Sequence, residues 1–252
     1  MSIRTPHFLI LTGDGINCER ETALAFQCAG GSATIIHIND LLAEPTMLQK
    51  YDGMAIPGGF SFGDDLGSGR ILALKIKYGL HRELNSFIHA HKPIIGICNG
   101  FQVLTQLGLL PNYTTQRSVS LAPNIQGQFL NRWVSMVQPD SSLCKWTQGI
   151  SEIQLPVRHA EGRVICASPE VLANLHKNGQ VVLQYTEDIN GSTDCIAGIC
   201  DPSGLIFGLM PHPEAYLFQE TAPETATKDS MLPGAGLRIF QNIVSHCIQV
   251  SS

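Results

Sequence analysis

Short apolar runs alternate with helix-period stretches along the first hundred residues. "HFLIL" (7–11) ends in "TGDG" and is followed by "NCERETALAFQCAG" (17–30), whose spacing predicts a helix stopping at a glycine pair. "ATIIHI" (33–38) and "YDGMAIPGG" (51–59) are the next strands, the second running into glycines. One long helical region is predicted over 66–91. The run "PIIGI" (93–97) then closes on Cys98, and "GFQVLTQLG" (100–108) follows as a helix. Short apolar strands alternating with helices predict an α/β fold: a mostly parallel central sheet, covered by helices on both faces.

From about 118 to 165 the rhythm becomes an alternation of apolar and polar residues, predicting a short antiparallel extension of that sheet. "SPEVLANLHKNG" (168–179) predicts a helix with a serine cap and a glycine stop. "VVLQYT", "CIAGICD" and "LIFGLM" are late strands, and 234–250 predicts an amphipathic terminal helix. The segment 219–232 reads as a loop longer than the fold needs. At 252 residues the chain suits one domain over 1–252.

Composition adds exclusions. A formal charge of −5 gives no basic footprint for nucleic acid or acidic membrane. The N-terminal apolar run is too short for a signal peptide, and no stretch approaches the ~18 apolar residues of a membrane span. The eight cysteines are scattered without metal-ligand spacing, so no metal site is expected. Free thiols point to a reducing cytoplasm.

Three strand ends carry candidate chemistry. In "GICNGFQ" (96–102) a cysteine sits between small residues at a strand-to-helix turn. Cys98 is either a buried thiol or a nucleophile held open by Gly96 and Gly100, with the Asn99 amide beside a developing oxyanion. "PHPE" (211–214) places His212 at a strand tip and Glu214 within reach of its ring. "PGGF" (57–60) is either an ordinary glycine turn or a second oxyanion donor, through Gly59 or Phe60. It lacks the order of a phosphate-binding loop.

Together these motifs resemble the class I glutamine amidotransferases, which use a Cys–His–Glu triad, and the resemblance runs nearly end to end. "FSFGDDLGSG" and "NGFQVL" resemble in particular a glutaminase branch that serves purine biosynthesis. The resemblance implies that Cys98 attacks glutamine, His212 relays protons and Glu214 orients His212. Gly59, Phe60 and Asn99 would form the oxyanion hole and Gln102 would contact the substrate. It implies no cofactor in this chain. ATP and Mg²⁺ would belong to a large synthetase subunit, with a small bridging subunit as a further partner. Arg158, His159 and Glu161 would face that partner or form a solvated turn. Ala215 departs from the family's usual arginine. The alternatives are the glutaminase of another amidotransferase, an esterase of dienelactone-hydrolase type, or a binding subunit that kept the fold.

Overall fold

The computed structural model describes residues 4–114, 117–223 and 232–250. Strands β1 (His7–Thr12), β2 (Ser32–His37), β3 (Gly53–Ile56), β4 (Ile94–Ile97) and β11 (Ile206–Leu209) form a parallel half-sheet in the order β2-β1-β3-β4-β11. β3, β4 and β11 are buried at every position, which explains why they read as unbroken apolar runs.

Helices α1 (Glu19–Cys28), α3 (Arg70–Gly79), α4 (His81–His89), α5 (Asn99–Leu107) and α7 (Leu237–Val250) flank this half. Phe26 on α1 stacks on Phe8 of β1, with ring centroids 4.2 Å apart, and meets Phe240 of α7 edge-on at 5.1 Å. Each ring is fully buried and contributes roughly 2–3 kcal/mol of apolar burial. Two short helices complete the set, α2 (Ile38–Ala43) and α6 (Pro169–Lys177). Ser168 caps α6 by accepting from the Val171 amide at 3.3 Å.

The single helix expected over 66–91 is two. α3 ends at Gly79, which packs against the Leu42 side chain where a β-carbon would clash. The chain then turns at Leu80 and restarts as α4.

The antiparallel extension is longer than the sequence pattern suggested. β10 (Ile196–Cys200), β9 (Val181–Tyr185), β6 (Leu130–Val137) and β7 (Glu152–His159) carry the sheet to nine strands. β5 (Val119–Pro123) and β8 (Glu161–Cys166) form a separate ribbon.

This extension does not continue flat. β7 stands five places from β4, about 24 Å away in a planar sheet. Yet the Arg158 carbonyl lies 3.7 Å from the Cys98 sulfur. A register irregularity between β9 and β10, and a β6–β9 pairing confined to two residue pairs, accommodate the bend. The antiparallel strands therefore return over the edge where the parallel strands end.

Within the segment read as a long loop, Gln219–Thr221 forms a 3-10 turn and Phe218 bridges to Pro233. Residues 224–231 lie outside the described residues. No helix among the described residues is long and apolar enough to cross a membrane.

Candidate active site

Cys98 links β4 to α5 with φ 51° and ψ −105°, a left-handed backbone that a cysteine adopts only when its surroundings enforce it. The flanking glycines are the enforcement. A β-carbon at Gly100 would collide with the Ile56 carbonyl, and one at Gly96 would stand 2.5 Å from the Gly100 oxygen. The Cys98 N–H donates to Leu209 of β11 at 2.8 Å. Its carbonyl accepts from the amides of Phe101 and Gln102, starting the helix beneath it. A thiol that only filled space would not require this strain.

His212 follows β11 and is fixed by its own N–H, which donates to the Pro156 carbonyl at 2.9 Å. The 3-10 turn Pro213–Ala215 brings Glu214 back against the ring, with His212 Nδ1 and Glu214 Oε1 2.5 Å apart. Both residues are buried, at 3% and 4% exposure. Burial alone would lower the imidazole pKa. The Glu214 carboxylate and the neighbouring Cys98 and Cys18 thiols outweigh it and raise it well above the ordinary value. The bond to Glu214 leaves Nε2 as the face open to chemistry, and that atom has no partner among the described residues.

Gly58 lets these groups meet. A β-carbon there would lie 2.7 Å from His212 Cε1, 3.4 Å from Cys18 Sγ and 3.5 Å from Cys98 Cβ. Its carbonyl accepts from the amides of Asn17 and Cys18, both at 3.3 Å, tying the end of β1 to the end of β3. Gly59, at φ 149°, and Asn99 both keep amides with no acceptor among the described residues. Amides left open in this way at a strand end and at a helix start are able to donate to an anion.

The structure redirects three of the residues singled out in the sequence. The Phe60 amide is spent on the Gly15 carbonyl at 2.8 Å, so in this conformation it is not an oxyanion donor. Gln102 is buried with both ends of its amide engaged: Oε1 accepts from Asn99 Nδ2 at 2.8 Å, and Nε2 donates to the Glu161 carbonyl at 2.6 Å. It braces the helix below Cys98 against the β7–β8 turn. His159 points inward, with Nδ1 3.1 Å from Asn124 Oδ1. Burial, aided by His212, pushes its pKa down to about 4, so it is neutral and not a partner-facing charge. Arg158 is exposed, and its backbone carbonyl is the part that reaches Cys98. At Ala215, the N–H donates to the His212 carbonyl at 3.3 Å and completes the turn.

Sequence reasoning missed Cys18, Asp64 and Tyr185. Asp64 accepts from Asn99 Nδ2 at 3.3 Å and from the Gly69 amide, which clamps the 60–69 segment to the start of α5. Burial raises its pKa, as it does that of Glu161, which faces it. Tyr185 is fully enclosed near Cys98, and its phenol is pushed upward by burial. The only signal for Cys18 was its place just past the end of β1, at the edge where β4 and β11 also end.

Comparison with known proteins agrees with this geometry. The family model described as a CobB/CobQ-like glutamine amidotransferase domain matches residues 5–247. Two relatives are each 41% identical and named phosphoribosylformylglycinamidine synthase subunit PurQ. One, from Methanococcus maripaludis, aligns over 96% of this chain and 97% of its own length. The other, from Dehalococcoides mccartyi, aligns over 96% and 98%. A solved chain in the structure of PurLQS from Thermotoga maritima superposes with a TM-score of 0.75 at 28% identity, covering 96% of this chain and 99% of that one. The chain belongs to the CobB/CobQ-like glutamine amidotransferase family.

Proposed function

We propose that this chain is the glutaminase subunit of a phosphoribosylformylglycinamidine synthase, releasing ammonia from glutamine for a separate synthetase chain. The observation that carries the chemistry is the strained Cys98 turn beside an imidazole whose far nitrogen is held by a buried carboxylate. Names borne by relatives similar over nearly their whole length carry the choice of acceptor.

In the reaction, His212 Nε2 takes the Cys98 proton and the thiolate attacks the side-chain carbonyl carbon of glutamine. The tetrahedral oxyanion forms against the Gly59 and Asn99 amides, each such donor contributing roughly 3–4 kcal/mol to its stabilisation. The imidazolium returns the proton to the leaving nitrogen, and ammonia departs from a glutamyl thioester on Cys98. His212 then activates a water, and glutamate leaves. Glu214 holds the ring tautomer throughout and stabilises each imidazolium.

In this resting arrangement the Cys98 thiol lies beside His212 and donates to the Arg158 carbonyl at 3.7 Å. Turnover requires the thiol to turn its proton from that carbonyl to the imidazole. The segment that holds it away lies on β7, a surface suited to control by a partner. The reading places ATP, Mg²⁺ and the ribonucleotide acceptor on the synthetase, with a small bridging subunit completing a cytoplasmic complex. The test combines purified chain, synthetase, ATP, Mg²⁺, glutamine and formylglycinamide ribonucleotide. Glutamate and the amidine product should appear together, and both should vanish with Cys98→Ala. Glutamate without amidine, or amination of another acceptor only, would move the chain to a sister enzyme.

A further inference from the structure

The mechanism uses one thiol, but two face the same imidazole. We infer that Cys18, Cys98 and His212 together form a binding site for a soft divalent cation, zinc foremost, whose occupancy shuts the catalytic cleft.

The three side chains surround one point. The position a Gly58 β-carbon would take lies 2.7 Å from His212 Cε1, 3.4 Å from Cys18 Sγ and 3.5 Å from Cys98 Cβ, so the side chains that carry the three donors converge there. The Cys18 sulfur, a ring nitrogen of His212 and a Glu214 oxygen all lie within 4.8 Å of one another. Zinc bonds sulfur at about 2.3 Å and imidazole nitrogen at about 2.0–2.1 Å, which places two donors on one ion about 3.6 Å apart. Cys18 Sγ and the His212 nitrogen need to approach by only about 1 Å to meet that spacing, and the Cys98 sulfur joins them by turning from the Arg158 carbonyl. Cys18 sits on the turn between β1 and α1, where a rotation about χ1 supplies the movement.

The surroundings are those of a histidine ligand in a metal site. A carboxylate holds His212 Nδ1 at 2.5 Å, which leaves the Nε2 lone pair aimed into the cleft. That nitrogen is buried and without a partner, although an unmet polar atom inside a protein is costly. Two sulfurs and one imidazole select zinc or another soft ion over magnesium or calcium, which take oxygen ligands. Cys18 is only half-buried, so the site opens to solvent.

On binding, both thiols give up their protons to solvent and form thiolate–metal bonds. The two thiolates balance the charge of the ion, and a water fills the fourth position. The nucleophile and its base are then both occupied, so glutamine cannot react until the metal is withdrawn.

Cobalt(II) serves as the optical probe and zinc as the inhibitor. Titration of the full chain with Co²⁺ should give one equivalent of tetrahedral absorption with thiolate charge-transfer bands, displaced by Zn²⁺. Cys18→Ala, with Cys18→Ser as the variant closest in volume, should lose about half of the charge-transfer intensity and bind zinc at least tenfold more weakly. Zinc should inhibit glutamine hydrolysis reversibly, with activity restored by a chelator, and both Cys18 variants should need at least tenfold more metal. Cobalt absorption without thiolate bands, or zinc inhibition unchanged in both variants, overturns the inference. The shut-off rests on the amidotransferase reading, whereas the cobalt spectrum reports the ligands even if glutamine is not the substrate.

Discussion

In the parallel half of the sheet, β1, β3, β4 and β11 all end at one edge, and each chain runs on into a group of the site: Cys18, Gly58, Cys98 and His212. In the antiparallel half, neighbouring strands alternate direction, so no single edge collects chain ends. What that half contributes is a wall: the Pro156 carbonyl that anchors His212, the Arg158 carbonyl that holds the Cys98 thiol, and buried His159 and Tyr185. Parallel strands thus assemble reacting groups from distant parts of the chain. The bent antiparallel strands set their resting arrangement and exclude water.

The sharpest test of that division is at its centre. Cys98→Ala should lower glutamine hydrolysis by about 10⁴-fold or more while leaving the thermal midpoint near that of the parent, because the alanine keeps the same turn. Retained turnover would mean that the parallel edge does not carry the nucleophile. Glu214→Gln comes next. It keeps the shape of the buried group but removes the charge that holds the ring, and should cost about 10²–10⁴-fold in kcat with little change in KM. A rise in KM alone would assign Glu214 to binding.

The two halves also differed in how far they could be read from residues alone. β3, β4 and β11 are apolar throughout because both faces are covered, and Gly-x-Cys-x-Gly after such a run, ambiguous alone, gained meaning beside "PHPE" and "PGGF". The bend of β7 over the site depends on a register irregularity and on a pairing of only two residues, neither of which leaves a local signature. For that reason His159 read as a surface group and Gln102 as a substrate contact. Both are determined by what the returning strands bring beside them. Cys18 was missed for a related cause, since a lone thiol before a helix acquires meaning only when β1 and β11 are known to end together.

A smaller effect is expected at Gly58, where no reacting group is removed. Gly58→Ala would place a methyl group 2.7 Å from His212 Cε1, so the imidazole must shift. A displacement of about 1 Å in the base costs about 10–10²-fold in rate. Steady-state kinetics should show the loss in kcat, and denaturant unfolding should change by no more than ~1 kcal/mol as the ring yields. If kcat is unchanged, the parallel edge is looser than the contacts imply.

The smallest effect on catalysis, and a separate one on stability, belongs to His159 in the antiparallel half. Its pKa is pushed down to about 4 in the fold, first by burial and then by His212. The unfolded chain therefore binds a proton that the folded chain refuses, and stability falls as pH drops from about 6.5 toward 4. The full window amounts to about 3 kcal/mol. His212 has the opposite sign: its pKa is raised, so its contribution is complete below about 6.5 and is lost as pH rises through the folded value. Acid sensitivity thus tracks the antiparallel wall and alkaline sensitivity the parallel edge. His159→Gln should flatten the acid limb of urea unfolding between pH 6.5 and 4, leave the alkaline limb intact, and retain most of the kcat at pH 8. An acid limb as steep in the variant as in the parent would show that the wall tolerates the charge, and that burial of His159 has no part in holding it closed.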